Sequence, residues 1–155
     1  MSVRILSCFA ILTALLFAGC ESLPDQINNR FDKVPPQVRD FDGTPEQVYV
    51  AAQRAFKQLD FNVIHSSMGR VEAASAIHAS TAFADSRQLV ARIAIHEVGP
   101  GKCEVDMALT EDVSSQSMGG THSSPLREHG FYATYFAELQ EVLQEQATQS
   151  AAEKK

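Results

Sequence analysis

Apolar positions along this chain fall into two spacings, and the switch between them divides it into elements. Val48, Ala52, Ala55, Phe56 and Leu59 recur at intervals of three and four, which places them on one face of a helix. Thr44-Pro45-Glu46-Gln47 supplies the start of that helix: Thr44 can cap, Pro45 suits the first helical position, and Gln47 completes a capping box. The spacing predicts a helix from there to about Leu59. Four runs of period two follow, each the mark of a strand with one buried face. Residues 61–65 set Phe61 and Val63 on one side; 70–80 do the same with Val71, Ala73 and Ile77; 88–98 with Leu89, Ala91, Ile93 and Ile95; 103–111 with Cys103, Val105, Met107 and Leu109.

Punctuation between the runs sets their connections. Gly99-Pro100-Gly101-Lys102 predicts a tight hairpin between the last two strands. Residues 38–41 read as a short strand ahead of the first helix, and the Ser- and Gly-rich stretch 113–124 reads as an exposed loop. Ser124-Pro125 can open a second helix, in which Tyr132, Phe136, Leu139 and Leu143 recur at helical spacing and Gly130 is a weak point. From about Ala147 the tail is small and charged and is expected to fray. The fold class is therefore α+β: an antiparallel four-stranded sheet, with 38–41 as a candidate fifth strand, carries two helices on its apolar face. Its element order is (β)-α-β-β-β-β-α.

The N-terminal residues add a location. Residues 1–4 hold one positive charge, and the run 5–18 is almost wholly apolar. That run is about 14 residues, short of the roughly 20 that a membrane-spanning helix needs, so it reads as the core of a signal peptide. Phe17-Ala18-Gly19-Cys20 at its end resembles the lipobox of bacterial lipoproteins, in which small residues precede a cysteine that is diacylated, becomes the mature N-terminus and is then N-acylated. The resemblance implies that residues 1–19 are removed and that Cys20 bears lipid. Several acyl chains together hold a protein to a membrane durably. In lipoproteins of this kind the next residue helps to sort between membranes. Asp usually retains the protein at the inner membrane, and Glu21 here implies the periplasmic face of the outer membrane. Residues 20–37, polar and holding Pro24, Pro35 and Pro36, read as the lipidated N-terminus and a flexible tether. A single domain is expected over 38–146, followed by a disordered tail over 147–155.

Charge and cysteine content narrow the partners. Lys and Arg number 13 against 19 Asp and Glu, a formal net charge of -6. That balance argues against nucleic acid, which calls for a clustered basic face, and against electrostatic attachment to anionic lipid. Of three cysteines, Cys8 lies in the leader and Cys20 is taken by lipid. Only Cys103 then remains, no intramolecular disulfide can form, and Cys103 reads as a small buried hydrophobe in its strand.

The lipobox, the proline-bearing tether and the helix, four-strand, helix order resemble the small Gram-negative lipoproteins with a helix-grip-like domain, a type that includes the repeated domains of the outer-membrane assembly lipoprotein BamC. The residues that carry the likeness run from Thr44-Pro45-Glu46-Gln47 through Leu59-Asp60-Phe61 and along the strand pattern from Val71 to Leu109. It implies a binding or scaffolding role without naming a partner; the preferred reading is a non-enzymatic lipoprotein that reaches the membrane through its lipid anchor and binds an envelope protein through the outward sheet face, a sheet edge or the second helix.

Searching for chemistry gives little. The chain has no nucleophile elbow, phosphate-binding loop, paired-cysteine motif or HExxH. Pairing Ile77 near Ala91 would set His96 opposite about Glu72, some 20 Å from His78 at about 3.3 Å per residue, so those histidines could not share an ion. His122 and His129, if both were helical, would lie about 10 Å apart along the axis, also too far. The same register makes His96 the neighbour of Glu72 on one side and of Glu104 or Asp106 on the other. Such a cluster on the outward face suits a pH-sensitive contact or a weak metal site, but the preferred reading is an ordinary solvated face with cross-strand pairs. Two other regions are candidate contact surfaces. One is the stretch around Met118-Gly119-Gly120-Thr121-His122; the other is Tyr132, Tyr135 and Phe136, for which helical spacing favours core packing. No cofactor and no catalytic residue is assigned. A small periplasmic metal-dependent or hydrolytic enzyme is the alternative to the binding role.

Overall fold

A computed structural model describes residues 35–80, 85–115 and 120–153 of the chain. Cys20, the expected leader and most of the expected tether lie outside the described residues. The described part is an α+β domain in which one antiparallel sheet carries two helices on one face. The strands are β1 (Gln37–Asp42), β2 (Asn62–Ser67), β3 (Arg70–Ala74), β4 (His78–Ser80), β5 (Asp85–Gly99), β6 (Lys102–Ser115) and β7 (Gly120–Pro125). The helices are α1 (Pro45–Gln58) and α2 (Gly130–Glu153).

The sheet is built on the hairpin of β5 and β6, which stay paired from Asp85 opposite Ser115 to Gly99 opposite Lys102. Its turn depends on Gly101, whose φ of 68° is a left-handed conformation that costs glycine little. The outer side of β6 takes β1 along one half and β7 along the other. The outer side of β5 takes β3 and then β4, with β2 beyond β3. The four expected strands, with 38–41 as a candidate fifth, have thus become seven, and the candidate fifth is β1. Residues 113–124, expected as a loop, instead contain the end of β6 and most of β7, because a ladder can form on any backbone that keeps its N–H groups, Ser-rich or not.

The expected strand 70–80 is broken in two. Ser75 leaves the ladder: its N–H donates to Leu89 O at 2.9 Å, and its hydroxyl accepts from Leu89 N–H at 3.0 Å while donating to Ala76 O at 3.0 Å. This side chain supplies what a continuous strand would have supplied. Beyond it Ile77, expected in the core, is 64% exposed. A matching seam lies on the other side of the hairpin, between the start of β1, where Gln37 faces Met107, and the end of β7, where Pro125 faces Thr110. Leu109 N–H, between the two, donates to the Tyr132 hydroxyl at 3.0 Å, and that hydroxyl donates onward to Leu126 O at 2.8 Å. Leu126 N–H completes the join by donating to Leu109 O at 2.9 Å.

Both ends of α1 follow from local sequence. The Thr44 hydroxyl accepts from Gln47 N–H at 3.3 Å and Gln47 Oε1 accepts from Thr44 N–H at 2.9 Å, the reciprocal box that the sequence predicts. At the C-terminus Phe61 N–H donates to Phe56 O and Asp60 N–H to Lys57 O, the two bonds of a Schellman motif. Asp60 takes the left-handed position usually held by glycine, at φ 60°. The Phe56 and Phe61 rings, 6.0 Å apart, make the apolar contact that accompanies the motif.

α2 begins later than expected. Pro125 still pairs with Thr110 in β7, and the helix opens at Gly130, where His129 Nδ1 accepts from Phe131 N–H at 3.2 Å. Gly130 thus stands at the first helical position, where its weakness costs least. The helix also runs through Ala147 to Glu153, where a frayed tail was expected. Ala and Gln favour the helical state there, and the Thr148 and Ser150 hydroxyls bond back to Gln144 O and Gln146 O at 2.9 Å each.

The core lies between sheet and helices. Val71, Ala73, Ala91, Ile93, Ile95, Cys103, Val105, Met107 and Leu109 meet Val48, Ala52, Ala55 and Phe56 of α1 and Tyr132, Tyr135, Phe136, Leu139 and Leu143 of α2. Leu59, Val63 and Leu89 are packed against it but only partly buried. The opposite face is less solvated than expected. Ala74 and Val90, neighbours in the ladder, are 3% and 5% exposed there, since small side chains in mid-sheet are covered by their flanks.

Two stability changes follow. Ile93, 3% exposed, meets the core, so Ile93→Ala should cost about 2 to 5 kcal/mol. Arg92 on the opposite face holds Glu72 at 2.9 Å in an exposed pair, and Arg92→Ala should cost under about 1 kcal/mol. Denaturant melts will separate the two, and equal losses would mean the faces are misassigned. Tyr132→Phe should cost about 1 to 3 kcal/mol because it leaves the buried Leu109 N–H without an acceptor. A melt of that variant indistinguishable from the parent would remove the hydroxyl from the account of the seam.

Candidate functional site

The sheet face away from the helices carries the polar side chains of alternate positions. Near the β5–β6 turn, His96 stands opposite Glu104, and Glu104 stands opposite Asp40 of β1. Asp106, two residues along β6, places Oδ2 3.5 Å from His96 Nε2. Both side chains are partly open to water, so the contact is a surface pair of small energy. The structure therefore brings His96, Glu104 and Asp106 together as expected.

Glu72 is not part of this group. It lies opposite Arg92 on β5 and His65 on β2, and its Oε1 accepts from Arg92 Nε at 3.0 Å. The expected register paired Ile77 near Ala91, whereas Ala73 is the residue opposite Ala91. The four-residue shift has a physical cause. Gly69, at φ 81°, turns the chain between β2 and β3, and Ser75 stops β3 early, so the strand pairs through its first half only. His78 lies farther along β5, opposite Arg87, and His122 lies opposite Val113 in β7. His129 serves at the start of α2.

Asp40 is the member that sequence reasoning missed. The signal was present in the alternation of Val38, Asp40 and Asp42, but it could be used only once β1 was known to pair with β6. Oδ1 of Asp106 is buried and has no hydrogen-bond partner. Among the described residues no three His, Cys, Asp or Glu side chains are placed to hold a metal ion. As described, the cluster is a polar patch on the helix-free face of the sheet.

Groups with chemical potential inside the domain serve packing. The Cys103 thiol donates to Gly43 O at 3.4 Å, and burial, aided by the negative charge of Glu97, pushes its pKa up from 9.0. It stays protonated at neutral pH and is a poor nucleophile. Tyr135 is wholly buried, which pushes its pKa far above the ordinary phenol value; its hydroxyl donates to Ala52 O at 3.5 Å and its ring stacks on Phe56 at 4.3 Å. Tyr132 and Phe136 are likewise core residues, as their spacing predicts. Met118 and Gly119 lie outside the described residues, while Gly120, Thr121 and His122 belong to β7.

Hollows on the surface are open. One of 370 Å³ runs between the helices, lined by Glu46, Gln47, Val50, Gln146, Gln149 and Ser150. Another, of 180 Å³, lies by the β5–β6 turn against Asp40, Asp42, Val98 and Lys102.

No known protein family matches the chain, and no curated protein matches it. Two solved structures show a distant likeness. The adenylate sensor from AMP-activated protein kinase, in complex with 5-aminoimidazole-4-carboxamide 1-beta-D-ribofuranotide, is 14% identical with a TM-score of 0.41, over 65% of this chain and 93% of that one. A DUF4468 family protein from Bacteroides ovatus is 12% identical with a TM-score of 0.31, over 75% of this chain and 83% of that one. Likeness at this level carries no argument about function.

The cluster's geometry makes a prediction about metal. A site at His96 with Glu104 and Asp106 would stabilise the fold in proportion to zinc above its dissociation constant. With so open a pair, micromolar zinc should leave the melting temperature of the full chain unchanged. A rise that His96→Ala abolishes would show a real site and reopen the enzymatic alternative.

Proposed function

We propose that this protein is an envelope lipoprotein, anchored by lipid on Cys20, whose domain binds a protein partner without catalysing a reaction. The observation that carries this reading is Phe17-Ala18-Gly19-Cys20 at the end of an apolar run too short to span a membrane. Among the described residues no helix is long and apolar enough to cross a membrane. In this reading the acyl chains supply the attachment. Glu21 after the cysteine favours the periplasmic face of the outer membrane.

The binding role draws on the shape of the domain. One face of the sheet is taken up by the helices, while the other face and the edge strands remain open to water. Open edges and faces of this kind are used by proteins to recognise extended chains. The resemblance of the lipobox and the proline-bearing tether to those of helix-grip-like lipoproteins, the BamC type among them, supports the same role. The partner in this reading is another envelope protein.

Mass spectrometry of the protein purified from membranes tests the anchor. The mature chain should begin at Cys20 with a diacylglycerol adduct, and Cys20→Ala should accumulate unprocessed precursor. An unmodified mature chain that begins elsewhere would overturn the assignment.

A further inference from the structure

Past the two seams the β5–β6 hairpin carries a block of its own. Beyond Gln88 and Asp112 each row of the sheet crosses β4, β5, β6 and β7: His78, Arg87, Val113 and His122 form the first such row, and Ser80, Asp85, Ser115 and Gly120 the last. The other strands make a continuous sheet without β4 or β7, in the order β1-β6-β5-β3-β2. Burial stops at the same boundary. On β5 the buried positions are Val90, Ala91, Ile93 and Ile95 and on β6 Cys103, Val105, Met107 and Leu109, whereas none of 85–89, 111–115 or 120–125 is buried.

The alternation along β5 and β6 accounts for that boundary. The side that holds Leu89, Ala91, Ile93 and Leu109 continues outward as Asp85, Arg87, Glu111 and Ser115, with Val113 the one apolar residue, so it offers the helices little to bury. Such a block is held by ladder hydrogen bonds and by weak surface contacts such as Arg87 with Glu111, 3.6 Å apart and open to water. Asp85 Oδ1 is buried there with no hydrogen-bond partner, a cost that access to water would relieve. The donors at the seams do not depend on the block. Leu89 N–H is taken by the Ser75 hydroxyl and Leu109 N–H by the Tyr132 hydroxyl, while Ser75 N–H and Leu126 N–H close on Leu89 O and Leu109 O. Both seams stay satisfied when the block separates.

We infer that the rows from His78 and His122 to Ser80 and Gly120 form an arm that opens as a unit while the five-stranded body and both helices stay folded. Local opening of this kind occurs where apolar burial is least and ladders lie close to water. The arm meets both conditions. Ser75 and Tyr132 mark its hinge line, because their hydroxyls finish the body where the arm begins. Opening of the arm depends neither on the binding role nor on the anchor proposed above.

Amide hydrogen exchange of the full chain in detergent micelles provides the test. Residues 85–87 and 113–115 are the positions to read, because β5 and β6 have a paired strand on each side there and edge exposure does not explain fast exchange. Protection should be alike in the two segments, and at least about a hundredfold below that of residues 91–95 and 103–107. Ile93→Ala weakens the body, so exchange at 91–95 and 103–107 should rise about thirtyfold or more. Over the same comparison 85–87 and 113–115 should change by less than about twofold, since the arm opens from a body that is still folded. Should Ile93→Ala fail to fold, Ile93→Val makes the same comparison with a rise in the body of about two- to tenfold. Protection in the arm equal to that of the body, rising with it in the Ile93 variant, would mean that the arm opens only on global unfolding and overturns the proposal. Protection lost in one of the two arm segments alone also overturns it, because one fraying strand is not a unit.

Discussion

Pairing Ile93 with Met107 and Ile95 with Val105 lays an apolar strip from β5 and β6 beneath both helices, and every other strand is hydrogen-bonded to this hairpin directly or through β3. Because side chains alternate between faces, a slip of one residue in that register would turn the whole strip towards water. The Gly99-to-Lys102 turn holds the register at one end, and the buried run Cys103, Val105, Met107 and Leu109 holds it along its length. The order of the remaining strands, the seating of α1 and α2, and the position of the polar cluster all follow from it.

A hairpin with strands of 15 and 14 residues is longer than the helices can cover, and each outer side is filled by two short strands laid end to end. Where one short strand stops and the next starts, a backbone N–H of the hairpin faces no strand. Ser75 and Tyr132 meet this need on opposite sides, each with a hydroxyl that accepts from the exposed donor, at Leu89 and at Leu109. An unpaired buried N–H costs more than an ordinary hydrogen bond contributes. Both seams are thus places where a side chain decides whether the sheet is continuous.

The helix-free face is where the domain's surface chemistry is concentrated. Two of its carboxylates face basic partners, Glu72 with Arg92 and Asp106 with His96. The two basic partners lie on β5, four residues apart. The edges of the sheet differ more than the face does. β1 carries Arg39, Asp40 and Asp42, whereas β2 holds no Asp, Glu, Lys or Arg and is interrupted in register at the exposed Ile64.

Local sequence by itself determined the elements whose signals act within a few residues. The capping box at Thr44 and Gln47, the faces of α1, the turn at Gly99 to Lys102 and the inward residues of β6 are all legible because their causes lie in adjacent turns or alternate positions. Tertiary structure decided what depends on contacts distant in sequence. Whether 120–125 is loop or strand depends on the free side of β6, and whether Ile77 is buried depends on the Ser75 bond to Leu89. The membership of the polar cluster was decided the same way: His96, Glu104 and Asp106 lie on two strands joined by a short turn, so their meeting could be read from sequence. Glu72 was misplaced because the β3–β5 register depends on where β3 breaks, and Asp40 was missed because β1 reaches β6 from some sixty residues away. Periodicity tells which face a residue takes within its own element, and only the pairing of one strand with another tells what stands beside it.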